Sequence, residues 1–89
     1  MKGTERAALR KQANTLKPIF QIGKGEISEN MIASVDEALK KRGLIKLALL
    51  ETAPYDAREA GALLAEATGA ELVQCIGRRF VLYREPEED

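Results

Sequence analysis

A lysine stands between two glycines at Gly23-Lys24-Gly25-Glu26, just after an apolar run and just before a helix start. This is where the chain's residue types best suit chemistry with an anion. Pro18 forbids a helix running through the segment, so Ile19, Phe20 and Ile22 read as a short strand. Ser28 suits an N-cap, and Glu29 follows in the first turn. The loop thus lies at the mouth of a helix, where unpaired N–H groups and a mobile ammonium suit a phosphate. The spacing is neither that of the P-loop nor that of the GxGxxG dinucleotide fingerprint.

Other cations could extend such a site. Arg6 and Arg10 share a face of the first helix, and Lys17 lies just past its end. Lys46 interrupts an apolar strand, so it either snorkels or reaches a ligand. Arg78 and Arg79 lie at and beside a hairpin tip. The run Lys40-Lys41-Arg42 ends a helix, where cations complement the dipole, and this explains it without a ligand. Fourteen Lys and Arg balance fourteen Asp and Glu. Four of those acids lie in the last five residues, EPEED, so residues 1–84 hold ten acids against fourteen bases, a net of +4. A mildly basic body with an acidic tail fits a polyanion partner. The competing interpretation is a solvated basic surface on a protein-interaction module, docking through a sheet edge or the tail.

Several function classes recede. There is no histidine, which removes the commonest general base and metal ligand. No carboxylate pair marks a pocket; Asp36-Glu37 sits on a helix surface. No catalytic residue, metal site or cofactor is expected. The single cysteine, Cys75, has no internal partner and fits a reducing cytoplasm as a core filler. No apolar stretch approaches the roughly 18 residues of a membrane span, and the start shows no signal-peptide core.

The elements that must hold these residues follow from periodicity. Eighty-nine residues, 45% hydrophobic and 31% charged, suit one domain with one core. The first helix runs from Thr4, as cap, to about Thr15, with a stripe of Leu9, Ala13 and Leu16. The first strand is about Ile19–Ile22. The second helix runs from Ser28 to about Arg42, with Met31, Ile32, Val35, Ala38 and Leu39 inward and Gly43 as its stop. Leu44–Glu51 is nearly all apolar, as a central strand should be. Asp56 caps a third helix with Glu59 at capping-box spacing. Ala60, Leu63, Leu64 and Ala67 face inward, and Gly69 ends it. Leu72–Ile76 and Arg79–Tyr83 form a hairpin on Gly77-Arg78, with glycine first, as a type II′ turn wants. The tail, 85–89, is expected to be disordered. The order α-β-α-β-α-β-β predicts a single α/β domain with a four-stranded mixed sheet packed with helices. Its two β-α-β crossovers imply parallel pairings.

The blocks LKPIFQIGKGEIS, ENMIASVDEALKKRGLIKL and LVQCIGRRFVLYR resemble the bacterial YhbY-type proteins, which are stand-alone CRM domains (chloroplast RNA splicing and ribosome maturation). The resemblance covers about residues 4–84. It implies a fold similar to the C-terminal domain of translation initiation factor three. It implies RNA binding without catalysis, and association with rRNA of precursor large ribosomal subunits in bacteria. A GxxG loop is the family's expected RNA contact, and by position it is Gly23, Lys24, Gly25 and Glu26. Here Glu26 replaces the pattern's last glycine and sets a carboxylate near any bound phosphate. Lys17, Arg6, Arg10, Lys46, Arg78 and Arg79 complete the expected RNA-binding set. The partner is structured RNA, contacted through its backbone by a monomer in the cytoplasm.

Overall fold

The computed structural model describes the backbone of residues 3–23 and 27–85, with side chains from Arg6 onward. Lys24, Gly25 and Glu26, and the tail residues 86–89, lie outside the described residues. The elements are α1 (Gly3–Ala13), β1 (Phe20–Ile22), α2 (Glu29–Arg42), β2 (Leu44–Leu49), α3 (Ala57–Thr68), β3 (Glu71–Ile76) and β4 (Arg79–Tyr83). The α/β order expected from periodicity is the order found. Helix α1 already includes Gly3, so Thr4 lies within it and is not its cap. The chain leaves α1 at Ala13, and Leu16 falls in the turn that follows.

The sheet order is β1-β2-β4-β3. Strands β1 and β2 pair in parallel, as the first crossover predicts. The second crossover does not produce a pairing: β4 lies between β2 and β3 and runs antiparallel to both. The reason is burial. β4 carries Phe80, Val81 and Leu82, all inaccessible to solvent, and an inner position pairs both of its edges and sets its two faces under the helices. β3, with Glu71 and Ile76 exposed, takes the edge. Gly77 turns the hairpin at φ +59°, while Arg78 stays out of the left-handed region, as a type II′ turn requires.

Side chains alternate across the strands and build two cores. On one face Ile22, Ile45, Leu47, Leu49, Phe80 and Leu82 pack against Val35 and Leu39 of α2 and Ala57, Ala60 and Leu64 of α3. On the other, Val73 and Val81 pack against Ala13, with Leu9, Leu44 and Tyr83 around them. The sheet is therefore covered by two helices on one side and by the single α1 on the other. α1 has eleven residues, about 16 Å of helix, too short to span that face.

The expected caps of α2 and α3 both form. The Ser28 hydroxyl accepts from the Met31 amide at 3.2 Å, and the Asp56 carboxylate accepts from the Glu59 amide at 2.7 Å. The inward stripe of α3 is rotated from the expected one. Ala57, Ala60, Gly61, Leu64 and Thr68 are buried, whereas Leu63 and Ala67 are exposed. Gly61 sets this rotation. A Cβ there would stand 2.6 Å from Leu72 Cδ1 and 3.2 Å from Phe80 Cδ2, so any side chain would have to displace the Leu72 methyl and crowd the Phe80 ring.

One polar cluster ties the layers together. Arg84 donates to the Asp36 carboxylate at 2.6 Å, to the Asp36 carbonyl at 3.1 Å and to the Thr68 carbonyl at 2.6 Å. A single guanidinium thus joins the end of β4 to α2 and to the last turn of α3. Arg84 and, to a lesser extent, Lys40 hold the Asp36 carboxyl below its usual range.

Candidate nucleic-acid interface

The end of α1 leaves part of the sheet face open. Alternation places Arg79 of β4 and Lys46 of β2 on the α1 side, beyond the reach of the helix. Arg78, at the hairpin tip, comes to the same place. Asn14, Lys46, Gln74, Ile76, Arg78 and Arg79 line a shallow cleft of about 340 Å³ there. Its lining holds three cations and no carboxylate. Among the described residues none of the three cations pairs with an acid. Exposed charges without partners, over an apolar sheet, raise the local potential for an anion.

Gly23, the first residue of the glycine loop, lies at the hairpin-tip end of the sheet. The Leu50 amide donates to the Ile22 carbonyl at 2.9 Å, and the Leu49 amide donates to the Arg78 carbonyl at 2.7 Å. The same two residues of β2's end therefore touch both the strand that leads to Gly23 and the hairpin tip. Nothing in the described surroundings of Gly23 demands glycine. Its φ is not in the left-handed range, and an added Cβ would meet only Leu50 Cδ1, at an ordinary 3.5 Å.

A second basic cleft of about 520 Å³ follows the free edge of β3. Arg6 and Arg10 of α1 stand on one side of the edge and Arg58 of α3 on the other, with Gln74, Cys75 and Ile76 between. Arg6 also approaches Glu71 at 3.6 Å, a half-exposed pair that constrains it little. The two clefts share Gln74 and Ile76. Burial pushes the Cys75 thiol up, outweighing the opposite pull of Arg58, so it stays protonated at neutral pH and serves packing.

The structure thus groups Lys46, Arg78 and Arg79 on one face and Arg6 with Arg10 on the adjoining edge; Gly23 follows Ile22, which pairs with Leu49 near the hairpin tip, while Lys46 stands level with Ile19 at the other end of β1. Lys17 is exposed and precedes β1, at the end of that strand away from Gly23; it joins neither cleft. Periodicity did not bring out Arg58, Asn14, Gln74 or Ile76. Arg58 had a signal: it is a cation in the first turn of a helix, where the dipole disfavours it. Ile76 had one too, as an apolar residue at a hairpin tip; it is 64% exposed. The aromatics are committed elsewhere. Phe80 is buried, and Phe20, Tyr55 and Tyr83 pack against the two cores. Among the described residues no group of three or more Cys, Asp or Glu could hold a metal ion, and no helix is long and apolar enough to cross a membrane.

A mixed four-stranded sheet, packed by two helices on one face and by one on the other, with a basic open strip, makes a small α/β domain whose exposed surface suits an anion. The chain belongs to the CRS1 / YhbY (CRM) domain family, whose pattern matches residues 1–84. It is 40% identical over 87 residues to the Bacillus subtilis protein named probable RNA-binding protein YqeI, covering 98% of this chain and 91% of that one. It is 39% identical to the protein of Methanocaldococcus jannaschii named probable RNA-binding protein MJ0652, over 96% of this chain and 64% of that longer one. The solution structure of SAV1595 from Staphylococcus aureus, described as a candidate RNA-binding protein, superposes with a TM-score of 0.81 at 46% identity, over 100% of this chain and 93% of the other.

Proposed function

We propose that this protein binds structured RNA by its phosphate backbone and acts, without catalysis, in assembly of the large ribosomal subunit. The observation that carries the RNA reading is the open sheet strip: Lys46, Arg78 and Arg79 line one cleft with no acid among them. The Gly23–Glu26 loop, which follows β1 in the chain, would complete the contact. Among the described residues nothing at Gly23 requires glycine, which supports close approach of a backbone there. Names of relatives that speak of RNA binding support the same ligand. The ribosomal role, with rRNA of precursor large subunits as the target of a cytoplasmic monomer in a bacterium, rests on what membership of the family implies.

Salt tests this. Affinity for a structured rRNA fragment is expected to fall on a log–log plot with a slope of about −2 to −4, from three to five phosphate contacts at about 0.7–0.9 each. Lys24→Ala is expected to make that slope shallower by a little under about 1. A flat salt response, or a preference for an acidic protein over RNA, would instead favour a protein-docking module.

A further inference from the structure

We infer that the RNA taken by this domain is double-helical, and that strand β3 lies as a ridge between its two backbones. Arg6, Arg10 and Arg58 would hold one backbone; Lys46, Arg78 and Arg79 would hold the other. The inference rests on the RNA reading above.

Three observations carry it. The first is that the basic surface is double. Two clefts, each lined by three cations and no carboxylate, meet along Gln74 and Ile76. They do not form one line. Lys46 lies two strands inward from β3, about 10 Å, while Arg58 stands on the helical layer of the opposite face, about 10 Å from the sheet. A single strand following one cleft leaves the other cations without a phosphate. Two backbones flanking a groove engage both.

The second is the ridge. A-form RNA offers a wide, shallow minor groove bordered by 2′-hydroxyls. Gln74, half-buried at the crest, carries an amide that can both donate to and accept from a hydroxyl. Ile76 is 64% exposed beside it and offers an apolar contact to a ribose face. The third is the aromatics. Single-stranded RNA is held largely by bases stacked on aromatic rings. This chain has two Phe and two Tyr; Phe80 is buried, the other three pack against the cores, and none lines either basic cleft. A surface of cations, an amide and an isoleucine reads sugar and phosphate.

Fluorescence anisotropy at fixed salt tests the inference, with one short RNA duplex, each of its single strands and the DNA duplex of the same sequence. The RNA duplex is expected to bind about 10-fold or more tighter than either strand, since the lost cleft removes two or more contacts worth about 4-fold each. The double variant R10A/R58A, both positions exposed, is expected to weaken the duplex about 10-fold and to change single-strand binding less than about 2-fold. Gln74→Ala is expected to narrow the preference for RNA duplex over DNA duplex. Equal affinity for duplex and single strand, or an equal loss on both with R10A/R58A, would overturn the duplex assignment while leaving RNA binding in place. Failure to bind any RNA, or displacement of the duplex by an acidic peptide at comparable concentration, would remove the RNA reading and this inference with it.

Discussion

Replacing Lys46, Arg78 and Arg79 together by alanine is expected to weaken binding of structured RNA about 50- to 100-fold and to leave the protein folded. The size follows from counterion release. Each phosphate contact adds about 0.7–0.9 to the salt slope, which near physiological salt is about a 4-fold factor, and three contacts multiply. The salt slope should become shallower by about 2 to 3 units in the same variant. The fold should survive because Arg78 and Arg79 are exposed, Lys46 is half-exposed, and none has an ion-pair partner among the described residues. Anisotropy across a salt series, with circular dichroism as the folding control, measures both quantities. An affinity within about 3-fold of the parent would take the open strip out of the interface.

Arg84→Met is expected to cost about 2 to 3 kcal/mol of stability. The methionine keeps most of the side-chain volume but removes the donors to the Asp36 carboxylate and to the Asp36 and Thr68 carbonyls. Hydrogen bonds to charged groups contribute about 1.5–3 kcal/mol each, and partial solvent access reduces the sum. For a domain of this size such a loss lowers Tm by about 10–20 °C. The pH dependence has a definite sign. Arg84 lowers the folded-state pKa of Asp36 below its unfolded value, so between the two the unfolded chain binds more protons. The stabilisation is therefore complete above the ordinary carboxylate range and is lost as pH falls through the folded value. Arg84→Met should remove this contribution and flatten the acid limb of the stability curve. A parent and a variant that lose stability in parallel on acidification would show that the pair is not responsible.

Local signals in the chain carried the elements themselves. Ser28 and Asp56 announce their helices through hydrogen bonds that span three residues, and Gly43, Gly69 and Gly77 mark ends and a turn through positive φ. Those interactions are made within a few residues, so sequence spacing suffices to read them. The placement of β4 between β2 and β3 was not legible in this way. It is decided by competition among strands for an inner position, which Phe80, Val81 and Leu82 win through burial on both faces. The rotated face of α3 was hidden for a related reason. Gly61 is inward where Leu72 and Phe80 would crowd a larger residue, and both come from later in the chain.

The candidate site divides along the same line. Lys46, Arg78 and Arg79 stand out individually as charges at odds with their strand or turn. That they share one open face depends on α1 stopping at Ala13 and on the register Ala48 with Arg79 and Lys46 with Val81. Lys17 shows the converse. It is close to the glycine loop in sequence, yet β1 separates the two in space. Arg58 is far from every other basic residue in the chain, and only the packing of α3 brings it to the β3 edge.

The most direct measurement is an amide NMR titration of the isotope-labelled protein with a structured rRNA fragment. The largest shifts are expected at Gly23, Lys46, Gln74, Ile76, Arg78 and Arg79, with little change on the outer surface of α2. Shifts concentrated instead at Lys40, Lys41 and Arg42, on the opposite face of the sheet, would contradict it.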